Sequence, residues 1–269
     1  MIPAPFDYVA AESVPHALDL LDSLGDDAKL LAGGHSLLPM MKLRLAAPAA
    51  LIDIGRLTEL IGIRAEGDEL VIGAATPHAM LATSGLVRAD APLLAHSAGL
   101  VGDPQIRHRG TIGGSLAHAD PAADLPMALV ALGGSVDVLG QGGTRNVAAE
   151  DFFTGFFETS LAEDELIAAV RVPRRPGQGW GYQKFVRRAN DWAIVGVAAV
   201  DGRIALANMG SVPLRARAAE QALADGAAPA EAAELAADDT EPSEDVHADR
   251  DYRRHLARVL TRRALEQRG

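Results

Sequence analysis

The first part of the chain shows the apolar spacing of helices alternating with strands. A predicted helix carries Leu18, Leu21 and Leu24 on one side. Ser13 can cap this helix and Gly25 can end it. Short apolar runs predict strands on either side of a second helical segment. These elements are expected as a strand at 28–32, a helix at 36–45 and a strand at 50–54. The opening unit is therefore predicted to be compact and to mix helix with strand.

The middle of the chain combines the apolar spacing of strands with that of helices. Two short alternating runs that meet at Gly67 predict a hairpin. A helical pattern over residues 77–100 is interrupted at Gly85 and Pro92, which predicts several short helices instead of one. The remaining predictions are a helix at 121–132, a hairpin over 135–149 with a glycine-rich tip, and a strand at 165–173.

A concentration of glycine and proline at residues 174–181 is the predicted domain boundary. Beyond it the pattern predicts a meander of three strands, with Asp201 and Gly202 as a strong hairpin signal. These strands are expected at 182–186, 193–200 and 203–207. A small domain built on a sheet is therefore expected at the end of the chain.

Residues 213–269 alternate between helical and acidic segments. A helix is predicted at 213–224, and residues 220–251 carry eleven Asp or Glu against one Arg. Such a charge run is typical of a solvated linker. The final helical segment places Leu256, Val259 and Leu260 on one face. Because the chain as a whole is anionic, we expect this face to dock onto its own domain and not onto a membrane.

Composition limits what the chain can be. With 269 residues, 48% of them hydrophobic and 23% charged, it is long enough for two or three parts with sizeable cores. No apolar run approaches the roughly 20 residues that span a bilayer, and no secretion signal is evident, so we expect a cytoplasmic protein without membrane insertion. The net charge of -11 argues against nucleic acid as a partner. Without cysteine, the chain can hold neither a disulfide nor a thiolate-ligated zinc or iron–sulfur cluster.

The first candidate site is the segment "LLAGGHSLL", an apolar strand that runs into Gly33 and Gly34, with His35 and Ser36 at a predicted helix start. Glycine lets main-chain N–H groups approach a phosphate closely. A diphosphate can be held by such amides even on an acidic protein, because their dipoles act at short range. An ordinary tight connection between strand and helix is the alternative, and the segment is not the GxGxxG of a Rossmann site.

The second candidate site is "RHRGTIGGSLAHADPAADLP". Gly110, Gly113 and Gly114 bracket Thr111 and Ile112 in a predicted loop that could expose successive amides. No GxSxG or Walker A sequence accompanies it, so hydrolases and P-loop proteins find no support.

Charged residues after this loop leave alternatives open. Asp120 precedes Pro121 in the usual arrangement of a helix N-cap. Asp124 can cap a second helix start or point its carboxylate at ribose hydroxyls. His108, His118 and Asp120 lie close together, but their spacing matches no common metal motif, and we expect no metal site.

The two loops, in this order, resemble the FAD-binding medium subunit of the molybdenum hydroxylase family, which includes aerobic carbon monoxide dehydrogenase and xanthine dehydrogenase. The resemblance covers nearly the whole chain. It rests on "FDYVAAESVPHALDLL", "AGGHSLLPMMKLRLAAPAALIDIGRL", "VGDPQIRHRGTIGGSLAHADPAADLPMALVALG", "DFFTGFFETSLAEDELIAAVRVP" and "YRRHLARVL".

What the resemblance implies is an α+β chain with a two-lobed FAD-binding fold of the vanillyl-alcohol-oxidase (PCMH) type. A small C-terminal α+β domain, with a three-stranded sheet and helices, would follow. The implied parts are an N-terminal FAD-binding lobe at 1–55, a second lobe at 56–175 and the C-terminal domain at 176–269. Two separated amide-rich loops favour FAD over FMN, because they suit a diphosphate.

The resemblance also implies the residues that hold FAD. The diphosphate would be wrapped by Ala32, Gly33, Gly34, His35 and Ser36 and by Thr111, Gly113, Gly114 and Ser115. The adenosine side would be lined by Lys29, Leu30 and Leu31. Asp124 would bond a ribityl or ribose hydroxyl. At Ser115 many relatives have Asn, so one side-chain contact is in doubt here.

Two residues of the C-terminal domain are implied at the flavin ring. Lys184 would stabilise negative charge on the reduced ring, and its alternative is a surface strand lysine. Trp192 would lie over the isoalloxazine, and its alternative is an ordinary core aromatic residue.

By this resemblance, the chain is the flavoprotein subunit of a larger oxidoreductase. A molybdenum-cofactor large subunit would oxidise the substrate, and an iron–sulfur small subunit would pass the electrons to FAD, which gives them to an external acceptor. A stand-alone flavin oxidase of the same fold superfamily is the alternative. The 95 residues after Arg174 are few for the large substrate domain of such an oxidase.

Overall fold

A three-stranded parallel sheet with two helices forms the first part of the computed structural model, which describes residues 2–267. Its elements are β1 (Asp7–Ala10), α1 (Val14–Leu24), β2 (Ala28–Leu31), α2 (Leu37–Leu43) and β3 (Ala50–Asp53). The strand order is β1-β3-β2. As predicted, Ser13 caps α1 by accepting the His16 N–H at 3.2 Å, and Gly25 ends it with φ 67°. Met1, Arg268 and Gly269, at the ends of the predicted domains, lie outside the described residues.

The second part is built on a five-stranded antiparallel sheet. Its elements are β4 (Ile63–Glu66), β5 (Glu69–Gly73), α3 (His78–Thr83), α4 (Gly85–Asp90), α5 (Pro92–Gly99), α6 (Pro104–Arg109), α7 (Ile112–His118), α8 (Asp124–Leu132), β6 (Ser135–Gly140), β7 (Gly143–Ala148), α9 (Ala149–Phe152), β8 (Phe153–Gly155), β9 (Glu158–Thr159) and β10 (Leu166–Pro173). The strand order is β4-β5-β10-β6-β7, and β8 pairs with β9. The predicted hairpins and the breaks at Gly85 and Pro92 are confirmed.

The helix predicted at 121–132 begins three residues later, at Asp124. The prediction that Asp120 caps this helix is wrong. Its carboxylate accepts the N–H of Ala122, two residues on, at 2.8 Å, and this bond closes a turn ahead of the helix. The glycine-rich segment after Thr111 is also not a loop, because it forms the first turn of α7.

The C-terminal part contains four antiparallel strands and three helices. Its elements are β11 (Trp180–Phe185), β12 (Val195–Val200), β13 (Arg203–Ala207), β14 (Leu214–Arg215), α10 (Arg217–Ala224), α11 (Pro229–Glu234) and α12 (Arg250–Glu266). The three predicted strands are present in the order β11-β12-β13, and β14 adds a fourth. A pairing of two residues is too short to show a strand period, which explains why β14 was predicted as the start of a helix.

The acid-rich stretch is not the predicted linker. It contains α11, and its alanines are buried against α12 while most of the acidic side chains stay exposed. The buried alanines of this stretch are Ala232, Ala233, Ala236, Ala237 and Ala248. The final helix docks onto its own domain as predicted, through buried Leu256 and Leu260 and half-buried Val259.

Helix α8 is buried at every position and packs between the two large sheets. Its Met127 lies against Gly196 of β12, where an added Cβ would be 3.2 Å from the methionine Cε. This packing brings the N-terminus of α8 next to β11. Although α8 is apolar, it has 9 residues, and within residues 2–267 no helix is long and apolar enough to cross a membrane.

Candidate functional site

Strand β2 leads into the first glycine loop from the edge of its sheet. Its one neighbour in the sheet is β3, so the other side of the strand has no strand partner among the described residues. Lys29 is exposed, and Leu30 and Leu31 are half-buried. Three of the predicted site residues therefore lie on an open strand that ends at the loop.

The loop from Gly33 to Ser36 contains unused hydrogen-bond donors. Within residues 2–267, the four N–H groups of residues 33–36 have no protein acceptor. The carbonyls of Gly34 and Ser36, by contrast, accept the N–H groups of Leu38 and Met40, each at 3.1 Å, in the first turn of α2. Consecutive N–H groups without protein partners are available to bind an anion.

The two glycine loops touch each other. A Cβ placed on Gly33 would lie 2.2 Å from the carbonyl oxygen of Arg109 and 2.9 Å from the Cα of Gly110. Only a residue without a side chain fits there. The structure therefore brings the two predicted loops together, with Gly33 as their point of contact.

The second loop uses its amides within the protein. Thr111 caps α7 by accepting the Gly114 N–H at 3.1 Å, and the Gly113 N–H donates to the Ala74 carbonyl at 2.8 Å. The Ser115 N–H donates to the Thr111 carbonyl at 3.0 Å. The expectation of successive exposed amides in this loop is therefore wrong. At its surface, this loop exposes the backbone of Gly114 and part of Ser115 to solvent.

Asp124 and Lys184 form a buried ion pair. The Lys184 Nζ lies 2.9 Å from the Asp124 Oδ2, and the side chains are 9% and 3% exposed. Lys184 is thus not the surface lysine of the alternative interpretation. Asp124 is the first residue of α8, whose N-cap is Ala123, so it is not the cap either.

Tyr182 completes this cluster. Its hydroxyl donates to Asp124 Oδ1, and its side chain is buried. Burial raises the pKa of Asp124, and the charge of Lys184 and the hydrogen bond from Tyr182 oppose that rise. Burial and the Asp124 charge raise the pKa of Tyr182 well above its ordinary value. Sequence reasoning missed Tyr182, although its place two residues before Lys184 on one strand puts both on one face.

Trp192 lies on the segment before β12 and is 54% exposed, so it is not a core aromatic residue. The backbone that follows it is held firmly. The Asn208 side chain donates to the carbonyls of Ala193 and Ile194 at 2.9 and 3.2 Å, and fully buried Arg253 also donates to Ile194. Trp192 is therefore a solvent-facing side chain on a fixed support.

Two histidines close to the glycine loops, His78 and His118, pack against other residues of the protein. His78, 4% exposed, packs against Gly110, and burial, with the charges of His35 and Arg107, lowers its pKa to about 4. The ring of His118 packs against that of Phe157 in a tilted arrangement, with ring centroids 4.9 Å apart. Across residues 2–267, no group of three His, Asp or Glu side chains could hold a metal ion.

Two family models together cover nearly the whole chain. Residues 4–175 match the FAD binding domain in molybdopterin dehydrogenase, and residues 180–268 match the CO dehydrogenase flavoprotein C-terminal domain. The chain belongs to this flavoprotein family. Its cofactor is FAD, and the predicted family and fold are confirmed.

Relatives of this flavoprotein extend over the same length. The carbon monoxide dehydrogenase medium chain of Hydrogenophaga pseudoflava is 46% identical, over 98% of this chain and 97% of its own. The 6-hydroxypseudooxynicotine dehydrogenase complex subunit alpha of Paenarthrobacter nicotinovorans is 40% identical, over 98% and 95%. A solved carbon monoxide dehydrogenase from Hydrogenophaga pseudoflava, which lacks the Mo-pyranopterin moiety of the molybdenum cofactor, matches with a TM-score of 0.95 and 48% identity over 99% of this chain and 98% of that chain.

The flavoprotein is therefore an oxidoreductase subunit of the carbon monoxide dehydrogenase type. It is the medium, FAD-carrying subunit of a molybdenum hydroxylase and acts as part of a complex.

Proposed function

We propose that this subunit holds FAD at the junction of its two glycine loops and relays electrons from iron–sulfur clusters of a partner to an external acceptor. The observation that carries the proposal is the run of four N–H groups at residues 33–36 that have no protein acceptor within the described range. FAD would supply the redox chemistry on this chain. The chain itself binds, positions and sets the local charge.

The loops fit the diphosphate of FAD. The amides of residues 33–36 provide donors for its oxygens, and the contact of Gly33 with Arg109 and Gly110 keeps side chains out of the junction. The second loop would contribute through its surface, since the N–H groups of Gly113, Gly114 and Ser115 are already bonded within the protein. The residues proposed at the diphosphate are Ala32, Gly33, Gly34, His35 and Ser36, and Thr111, Gly113, Gly114 and Ser115.

The other proposed contacts lie on either side of this junction. Lys29, Leu30 and Leu31 lie on the open edge of β2 and would line the adenosine. Asp124 would bond a ribose or ribityl hydroxyl with a lone pair that Tyr182 and Lys184 leave free, because each carboxylate oxygen can accept two hydrogen bonds.

Lys184 and Trp192 are the proposed contacts with the flavin ring. The Lys184 ammonium would stabilise negative charge on the ring when FAD is reduced. The exposed indole of Trp192 would cover one face of the ring.

A three-part division of the chain accompanies this arrangement. The two lobes at 1–55 and 56–175 would provide one glycine loop each, and the domain at 176–269 would provide Lys184 and Trp192. The separate sheets β1-β3-β2, β4-β5-β10-β6-β7 and β11-β12-β13-β14 support the division.

The proposed partners are an iron–sulfur small subunit and a molybdenum-cofactor large subunit. The chain has no cysteine, so thiolate-ligated clusters must belong to another chain. The relative from Hydrogenophaga pseudoflava is called a medium chain, which agrees with this division of labour. Relatives at similar identity are named for carbon monoxide and for 6-hydroxypseudooxynicotine, so the substrate pocket would lie on a partner.

The experiment that tests the proposal compares the purified chain alone with the assembled complex. The chain alone should bind FAD with the absorption bands of a flavoprotein and should oxidise no hydroxylase substrate. Activity should appear only after the iron–sulfur and molybdenum subunits are added. Turnover of a small organic substrate with oxygen by the single chain would instead identify a stand-alone oxidase.

A further inference from the structure

The buried cluster of Tyr182, Asp124 and Lys184 joins two parts of the chain. Asp124 begins α8 in the FAD-binding region, whereas Tyr182 and Lys184 lie on β11 of the C-terminal domain. The two β11 residues are two positions apart, so they share one face of the strand. All three side chains are at least nine-tenths buried. A polar cluster so well shielded from solvent must satisfy its own charges.

The carboxylate of Asp124 divides its two oxygens between these partners. Oδ2 accepts a hydrogen bond from the ammonium of Lys184 at 2.9 Å, and Oδ1 accepts one from the hydroxyl of Tyr182. A carboxylate held at both oxygens has a fixed orientation, whereas one held at a single oxygen can rotate. The position of the Lys184 ammonium therefore depends on Tyr182, with which Lys184 makes no hydrogen bond of its own.

The hydroxyl of Tyr182 also favours the ionised form of the pair. Burial works against a charged carboxylate, and each hydrogen bond to it works in the opposite direction. Without that hydroxyl, the protonated form of Asp124 would gain relative to its carboxylate. The Lys184 ammonium would then lose part of the counter-charge that holds it in place.

The other groups that face Tyr182 cannot replace this bond. The exposed ring of His96 lies 5.1 Å from the tyrosine ring, edge on, and partial burial lowers the pKa of His96. Trp180 packs on the other side of His96, with ring centroids 4.9 Å apart. In the described part of the chain, the phenol hydroxyl bonds no acceptor besides Asp124.

We propose that Tyr182 is a positioning residue for the flavin site: its hydroxyl orients the Asp124 carboxylate, and the carboxylate fixes the Lys184 ammonium beside the ring. This inference rests on the proposed function, which is what places Lys184 at the flavin. The C-terminal domain then determines how strongly the chain prefers reduced over oxidised FAD.

The test measures the affinity of the full chain for oxidised FAD and, under anaerobic conditions, for reduced FAD. The ratio of the two affinities reports the charge at the ring, and a loss of packing alone would weaken both forms equally. Tyr182→Phe should lower the preference for reduced FAD about three- to tenfold, the worth of one buried hydrogen bond. Lys184→Met should lower it further.

Tyr252→Phe is the matched control. Tyr252 packs its ring near Phe185 of the same strand, at 6.3 Å between centroids, and is 42% exposed, so the same hydroxyl is removed outside the cluster. This variant should keep the wild-type ratio. An equal change in Tyr252→Phe and Tyr182→Phe would overturn the inference, because the effect would then not belong to the cluster.

The variants separate the inference from the function on which it rests. If Lys184→Met changes the ratio and Tyr182→Phe does not, the positioning role is wrong and the proposed function stands. If Lys184→Met leaves the ratio unchanged while FAD still binds, Lys184 is not at the ring, and both its proposed contact and this inference fail.

Discussion

Gly33 meets the carbonyl oxygen of Arg109 so closely that a Cβ at this position would lie 2.2 Å from that oxygen. The contact joins two loops that are far apart in sequence, and it involves backbone on both sides. Neither partner can move aside as a flexible side chain would.

Gly33→Ala should therefore push the loops apart. We expect FAD affinity to fall at least about tenfold and the free energy of unfolding to drop by about 1–3 kcal/mol, as in other overpacked sites. Flavin absorbance titration and urea unfolding measure the two effects. Gly142→Ala is the control, because nothing lies within 4 Å of its Cβ position at the tip of the β6–β7 hairpin. Wild-type affinity in Gly33→Ala would remove this junction from the FAD site.

His78 should make the stability of the chain depend on pH. Its folded pKa is about 4, below the ordinary value of 6.5, because burial disfavours the charged ring. The unfolded chain takes up this proton first as the pH falls, so the contribution is complete above pH 6.5 and is lost between about 6.5 and 4. The shift corresponds to a loss on the order of 3 kcal/mol. His78→Leu should show a flatter decline of Tm over this range, and parallel curves for the two proteins would contradict the assignment.

Asp245 should contribute to stability although it lies in the acid-rich stretch. It bonds the guanidinium of fully buried Arg253 at 2.6 Å, and Asp245→Asn would leave that charge poorly compensated. Because Asp245 itself is partly exposed, we expect a loss of about 1–2 kcal/mol in the free energy of unfolding. Asp251→Asn, at a 98% exposed position, should change it by less than about 0.5 kcal/mol. If urea unfolding gave the two variants the same free energy of unfolding, the ion pair between Asp245 and Arg253 would contribute nothing to stability.

Trp192 should report FAD binding by fluorescence. The chain has two tryptophans, so Trp180→Phe leaves Trp192 as the single emitter. If its indole covers the flavin ring, saturating FAD should quench most of its emission. Emission that persists at full FAD occupancy would place Trp192 away from the ring. The reciprocal variant, Trp192→Phe, reports the quenching of Trp180 for comparison.

Local chemistry explains which elements the sequence predicts well. Ser13 and Gly25 bound α1, Gly85 and Pro92 break the following helices, and Asp201 with Gly202 turns the β12–β13 hairpin. Each of these signals depends on residues that are neighbours along the chain. Such signals survive folding because no distant contact competes with them.

Tertiary contacts explain where the predictions from sequence were wrong. The acid-rich stretch was predicted as a linker from its charges, but its alanines pack on α12, a contact that charge counting cannot detect. The two-residue strand β14 forms because β13 offers it a partner. In both cases the deciding interaction comes from elsewhere in the chain.

The candidate site divides in the same way. Both glycine loops were found from sequence, because glycine marks close backbone approach. The sequence did not show that the first loop leaves its N–H groups without protein acceptors within residues 2–267, while the second bonds several of its own within the protein. Gly113, for example, donates to the carbonyl of Ala74, a residue nearly forty positions earlier. Tyr182 was missed because its meaning depends on Asp124, which α8 brings to it.

Helix α8 lies in a core to which both regions contribute, since it packs on β10 of the FAD-binding region and on β12 and β13 of the C-terminal domain. A fragment that ended near Arg174 would leave one flank of this helix uncovered, with its leucines and methionine facing water. The FAD-binding region and the C-terminal domain thus share the burial of this helix, so removing either one would expose apolar side chains of the other.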